Sequence, residues 1–402
     1  MGVKATASSP QVLRRMNSGA VVRFALRVAE FTAAEVMAET GLTRATALGV
    51  CDELVALGWL EELEDSRAAG LTSKGRPARR YRLRDGAGAV VGIDAGEHRF
   101  TGVVADLRGR ALARRTLQLD PTSSGPVRSE LAASLVRELR DEAGLDRGDV
   151  LLTVIGVPAP VDARGSSPSG DGFWGTMNPG FASLHGTVVV ENDANLAAVA
   201  ERAQGLADLG DAATVLSGER LGAGVILDGR LLRGARGGAG EMRFLDIVEG
   251  AGSAEGIASL ARSWARDAIA EGARGALARL APEAVAARDV FRAAAEGDAV
   301  ALRILDRLGA RIARLAVVLA SLLDVERVVI AGAVADAIEP VLERARAVLA
   351  DEFSPPVPEL VASRLGSDVV VVGAVELALA QLREEPLRFV PRASARTAPP
   401  TE

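Results

Sequence analysis

The run VVVENDANLAAVAE, from Val188 to Glu201, gathers Glu191, Asn192, Asp193 and Asn195 where a β-branched segment meets an Ala-rich one. A carboxylate at hydrogen-bonding distance can take a proton as general base, and an amide can donate to one hydroxyl while accepting from its neighbour. The pattern therefore suits a polyhydroxylated ligand with one hydroxyl presented to Asp193. The same residue types also cap helices, since an Asn or Asp side-chain oxygen satisfies a free amide of the first turn. Capping and ligand binding are compatible, and the spacing leaves both open.

Strand and helix patterns on either side indicate what must position these residues. AVVGIDAGEHRFTGVVADLRGRAL predicts three strands, with Asp94 and Gly96 in the first turn and Arg108-Gly109 in the second. VLLTVIGVPAPVD predicts a buried strand ending in a turn at Pro158, Pro160 and Asp162. TVLSGERLGAGVILDGRLLRGARGGAGEM reads as a Gly-rich hairpin running into a second Gly cluster, RVVIAGAVA as a strand turning at Gly332, and VVVVGAVELALAQL as a strand and closing helix around Gly373. Residues from Ala299 to Leu323 predict helices with Arg on their outer side, and the Pro- and Arg-rich tail over 385–402 is expected to be disordered.

The first 86 residues differ in kind. They carry 13 Lys/Arg against 10 Asp/Glu, net +3, while the other residues carry 34 against 43, net −9, within a total of −6. A basic head on an acidic body implies that only the head meets a polyanion. Apolar residues from Val12 to Val28 predict one long helix or two short ones, interrupted at Asn17, Ser18 and Gly19. Thr32 then caps AAEVMAET, Gly41 closes it, and Thr43 caps a helix running to Gly58. Two helices joined by a Gly-containing turn predict a helix-turn-helix. Its second helix would turn Ala45, Leu48, Val50, Leu54 and Leu57 inward, leaving Thr43, Arg44, Thr46 and Ala47 nearest the major groove. WLEELED and GRPARRYRLR predict a two-stranded wing; from Arg67 to Arg84 there are seven basic residues and no acidic one, among them Lys74, Arg76, Arg79 and Arg80. That composition suits phosphate contacts along double-stranded DNA.

Other classes are excluded or disfavoured by composition. The lone Cys51, with only His98 and His185, cannot assemble a Cys-rich structural zinc site or an internal disulfide. No apolar run approaches the ~20 residues of a membrane span, and Met1–Pro10 has no signal-like apolar segment, so a cytoplasmic protein is expected.

The order of GIDAG, IGVPAPVD, VVVENDAN, LGAGVILDGRLLRGARGGAGE, RVVIAGAVA and VVVVGAVELA resembles the ROK family of sugar kinases and sugar-responsive repressors, over nearly the whole chain. The resemblance implies an α/β protein: a winged helix-turn-helix over 1–86, a first actin-like (ribonuclease H-like) lobe over 87–197 plus about 367–384, and a second lobe over 198–366. It also implies that Asn192 binds sugar hydroxyls, that Asp193 faces the phosphorylatable hydroxyl, and that Glu241 and Glu255 complete the pocket. Phe244 stands where the family has a pocket His, and the segment between Arg243 and Glu255 lacks the family's zinc-binding Cys cluster.

The nucleotide turns depart from a kinase as well. Gly96-Glu97-His98 and Gly218-Glu219-Arg220 replace glycine-rich turns whose amides approach phosphate. At about 4 Å and an effective dielectric near 20, a carboxylate–phosphate pair costs about 4 kcal/mol, about a thousandfold in affinity, unless Arg220 or a metal compensates. The reading that follows is a DNA-binding repressor with no catalytic activity, cofactor or metal, in which Asp193 is a vestigial base. Its partners would be a DNA operator and a sugar or sugar-phosphate effector held by Asn192, Asp193, Glu241, Phe244 and Glu255, and it would assemble as a homodimer or homotetramer. The alternatives are an ATP-dependent sugar kinase with a DNA-binding head, using Asp193 as base and Asp94 near Mg²⁺, and a ligand-blind DNA-binding scaffold.

Overall fold

In the computed structural model the described residues are 10–63, 78–169, 172–206, 210–389 and 391. The chain opens with α1 (Pro10–Arg27), one helix that continues through Asn17 and Ser18. Gly19 lets it pass close to the body: a Cβ there would stand 3.1 Å from the Glu384 carbonyl oxygen. β1 (Phe31–Thr32) leads into α2 (Ala33–Thr40), where Thr32 and Glu35 form a reciprocal capping box and Gly41, at φ +70°, closes the helix. Thr43 accepts from the Thr46 amide at the start of α3 (Arg44–Ala56). β2 (Leu60–Leu63) and β3 (Arg80–Leu83) pair antiparallel, and β1 adds a third strand that the sequence pattern did not indicate. The wing tip, with Arg67, Lys74 and Arg76, lies outside the described residues.

The inward face of α3 differs from expectation. Ala47, Val50, Cys51 and Leu54 are buried, Ala45 is exposed and Leu48 only half-buried. An Ala- and Gly-rich helix offers little contrast between its faces, so the phase is set by packing on Phe31, Val36 and Trp59, not by its own periodicity.

The body repeats one plan twice. β4 (Ala89–Ala95), β5 (Arg99–Asp106) and β6 (Ala111–Gln118) form a meander, α4 (Gly125–Glu142) follows, and β7 (Val150–Val157) returns parallel to β4. After α5 (Gly172–Met177), β8 (Val188–Asn192) adds parallel to β7 and runs into α6 (Asp193–Ala200). The second sheet starts with β9 (Ala212–Ser217), β10 (Leu221–Leu227) and β11 (Arg230–Leu232). Four helices surround its last two strands: α7 (Ile257–Ala270), α8 (Ala287–Ala295) and the 25-residue α9 (Ala299–Leu323) precede β12 (Arg327–Ala331), and α10 (Glu339–Glu352) links it to β13 (Glu359–Ala362). Strand orders β6-β5-β4-β7-β8 and β11-β10-β9-β12-β13 are the same topology, three antiparallel strands and then two parallel ones. This is a mixed α/β fold built on two sheets of one topology.

α11 (Val369–Glu384) closes the chain's body, and its first turns are the VVVV segment expected as a strand. Val369, Val370 and Val371 are buried against the first lobe, and that burial outweighs the β preference of branched residues. Residues 386–389, expected to begin a disordered tail, form a turn instead, with Phe389 buried beneath the head. No helix among the described residues is long and apolar enough to cross a membrane.

Candidate functional site

The junction of β8 and α6 builds the site's floor. Asn192 is the N-cap of α6: its Oδ1 accepts from the Asn195 amide at 3.0 Å, and its Nδ2 donates to Ala159 O at 3.1 Å and reaches Glu241 Oε1 at 3.4 Å. Capping and presentation to the cleft therefore occur in one side chain. Glu191, buried behind it, accepts from the Asn192 amide at 3.0 Å and Asn195 Nδ2 at 2.9 Å, while its other oxygen takes Arg233 Nε at 2.8 Å from beyond β11. This strut joins the two sheets at the site.

Asp193 is half-buried, facing Asp94 across the cleft floor. Burial first, then the neighbouring Asp94, pushes its carboxyl up to about 8; burial also lifts Asp94 to about 6, against the pull of Arg99. Burial and the nearby carboxylate thus favour the protonated form of Asp193. Burial raises the Glu241 carboxyl too, opposed by Arg220. Glu241 reaches the site because two glycines let the backbone pass. Cβ atoms at Gly237 and Gly240 would stand 1.8 Å from the carbonyl oxygens of Val161 and Ala223.

These groups line a cleft of about 650 Å³ between the sheets, bounded on one side by Phe173 and Trp174 of α5. Phe244 is elsewhere: it is 68% exposed and does not line the cleft. Glu255 is exposed and does not line the cavity either, its carboxylate accepting from Ser253 and Ser259 at 3.0 and 3.3 Å. The segment before it contains no thiol or imidazole, so its donor set does not fit zinc. It is fastened by the buried Arg311, which donates to Ala251 O at 2.6 Å and to Ser253 O.

The turns expected to meet phosphate line the same cleft, and the charged side chains of Glu219 and Arg220 already have protein partners. Glu219 is held bidentate by Arg262 at 2.6 and 3.1 Å, so its compensating cation is Arg262 and not Arg220. Arg220 instead reaches across to stack on Phe173, 3.9 Å from the ring centre. Behind the other turn, Arg128 is fully buried and donates to Ala95 O and Gly96 O, each at 2.8 Å. Arg128, Arg233, Arg262 and Arg311 were not identifiable in advance, because their partners are main-chain carbonyls or carboxylates distant in sequence.

In the head, Thr43 and Arg44 lie exposed at the start of α3, and Thr46 is half-buried beside them. Arg79 is paired with Glu62 and Asp52 at 2.5 and 2.7 Å, and Arg80 with Glu30 at 2.5 Å.

Comparison with known proteins fits this geometry. The ROK family model matches residues 90–381. The chain belongs to the ROK family. Over 290 residues this ROK chain is 30% identical to the bifunctional enzyme NanE/NanK of Brucella suis, covering 69% of the chain but only 51% of that enzyme, about half its length. A glucokinase of Halalkalibacterium halodurans is 29% identical over 208 residues, 46% of the chain and 62% of the enzyme. Among solved structures, a ROK family transcriptional regulator, a homolog of the E. coli MLC protein, superposes with a TM-score of 0.74 at 21% identity, covering 94% of this chain and 99% of its own. A ROK family glucokinase from Streptomyces griseus, in complex with glucose and AMPPNP, gives 0.61 at 26% identity over 72% of this chain and 99% of its own.

Proposed function

We propose that this ROK protein is a DNA-binding transcriptional regulator, a repressor, whose two-lobed body senses a sugar or sugar derivative without phosphorylating it. The observation that carries the reading is the joining of two features in one chain. A head of three helices and a short β-sheet precedes a sugar-site geometry whose phosphate-side turn carries Glu219, paired with Arg262, and Arg220, stacked on Phe173, in place of glycines. The whole-chain likeness to a ROK regulator, head included, supports it.

In this reading α3 enters the major groove, Arg44 reads a base edge with Thr43 and Thr46 beside it, and the wing's Lys74, Arg76, Arg79 and Arg80 contact phosphate. Asn192, Asp193 and Glu241 hold the effector's hydroxyls, Glu255 and Phe244 stand outside the inner cavity, and ligand binding favours one closure of the lobes. The protein acts in the cytoplasm as a homodimer or homotetramer, so closure changes the separation of two heads on a two-half-site operator. The test is fluorescence anisotropy with duplexes from the regions upstream of its own and adjacent genes. Sequence-selective binding that Arg44→Ala relaxes supports the reading; equal, weak binding to every duplex overturns it.

A second reading, a sugar kinase with a DNA-binding head, is favoured by the convergence of Asn192, Asp193 and Glu241 on one cleft. Phosphoryl transfer from ATP to glucose or N-acetylmannosamine, abolished by Asp193→Asn, would establish it.

A further inference from the structure

A second cavity, of about 630 Å³, lies between the head and the first lobe, away from the interlobe cleft. α1 lines it with Arg23 and Arg27, the β5–β6 turn with Arg108, and the end of α11 with Arg383. The one carboxylate in the lining, Glu39 of α2, is already ion-paired with Arg27. Four arginines, of which Arg23, Arg27 and Arg108 are exposed, thus border one open groove with a single carboxylate among its lining residues.

Their hydrogen bonds set their positions without removing their charge. Arg108 donates to Leu26 O at 2.6 Å and Val28 O at 3.3 Å, taking the last carbonyls of α1. Arg23 donates to Arg383 O at 3.2 Å, at the end of α11. The Arg383 guanidinium has no ion pair or side-chain hydrogen bond among the described residues. Carbonyls orient a guanidinium but leave its positive charge uncompensated, and its planar fork matches carboxylate and phosphate oxygens. Water screens the repulsion among such exposed cations without abolishing it, and an anion of two or more charges would relieve what remains.

We propose that this groove binds a small multiply charged anion, a phosphate ester or a polycarboxylate, distinct from any ligand of the interlobe cleft. Such an anion touches α1 and α2 of the head and the β5–β6 turn and α11 of the body at once, so its binding fastens the head to the body. The binding claim stands apart from the regulator reading; only the consequence for operator binding rests on it.

Isothermal titration of the full chain with pyrophosphate, citrate and glucose 6-phosphate, at ionic strength held constant with sodium chloride, tests the claim. The three probes separate mineral, polycarboxylate and sugar-borne sources of the same chemistry. At least one should bind saturably at one site, with affinity reduced tenfold or more by Arg383→Gln and unchanged by Arg288→Gln, an exposed arginine on α8 that controls for net charge. Circular dichroism melting checks that both variants are folded. No saturable binding of any probe, or equal affinity in Arg383→Gln, overturns the proposal. So does an Arg383→Gln effect confined to duplex DNA, which would assign the groove to nucleic acid. If the anion binds but leaves operator affinity unchanged, the groove stands and only the coupling to the head fails.

Discussion

Replacing Asn192 with Ser separates its two roles, because Ser is about as good an N-cap as Asn but has no amide to reach Glu241 or a ligand hydroxyl. Asn192→Ser keeps the cap but also loses the Nδ2 bond to Ala159 O, so it should cost about 1 kcal/mol of stability while weakening any sugar that binds the cleft by tenfold or more. Asn192→Ala should cost about 1 kcal/mol of stability in addition. Thermal melts and calorimetric titration read the two effects apart. If Asn192→Ala lost stability relative to Asn192→Ser and ligand affinity moved in neither, capping would be the residue's whole function. Asp193 allows a pH test. Its carboxyl is pushed up to about 8, so the fold favours the protonated form. That contribution is fully present below the ordinary carboxylate range and is lost as pH rises through about 8, with Asp94 acting in the same direction through about 6. Asp193→Asn should therefore melt higher relative to wild type at pH 8.5 than at pH 5, and a pH-independent difference would mean that Asp193 is ionised throughout. That Asn192, Asp193 and Glu241 would line one cleft was legible in the sequence because short motifs fix them to strand ends and Gly turns. Phe244 and Glu255 do not line the cleft, and the path of the segment between them is set by Arg311, a buried arginine holding distant carbonyls that no local pattern marks.

α11 shows how an element's packing can override its local preference. A Cβ on Gly373 would stand 1.9 Å from Leu196 O, so this helix and α6 are in backbone contact just behind the site. Gly373→Ala must push the two apart, and overpacking of this kind costs about 1–3 kcal/mol. A lower urea midpoint together with weaker cleft binding is the expected outcome, since α6 carries Asp193 at its first turn. An unchanged midpoint would mean that the contact can relax without cost. Capped helices and the first meander were readable from sequence, and the second in part as a hairpin, because caps, Gly turns and alternating runs are local signals. The VVVV start of α11 and the phase of α3 were not. The first has a strand's composition, the second almost none of an amphipathic helix's contrast, and in both the neighbouring elements decide.

At the scale of the molecule, the basic head is less bare than its composition suggests. Arg79 bridges Asp52 on α3 and Glu62 on β2, Arg80 meets Glu30, and Arg82 meets Glu61, so the described wing arginines already have carboxylate partners. On a surface open to water each such pair is worth at most about 1 kcal/mol, so phosphate oxygens can compete for the same guanidinium. The competition has a thermodynamic signature. An arginine that exchanges a carboxylate for a phosphate releases a DNA counterion but exposes the carboxylate it leaves, which adds repulsion from the same duplex. Glu62→Gln should remove that repulsion, raise affinity for a random-sequence duplex several-fold, and steepen the dependence of log K on log salt by up to about one unit. The alternative is that Arg79 is a strut fixing α3 to the wing. Glu62→Gln would then loosen the head, lower affinity for all duplexes and leave the salt slope unchanged. Anisotropy titrations at several salt concentrations distinguish the two, because the sign of the affinity change is opposite.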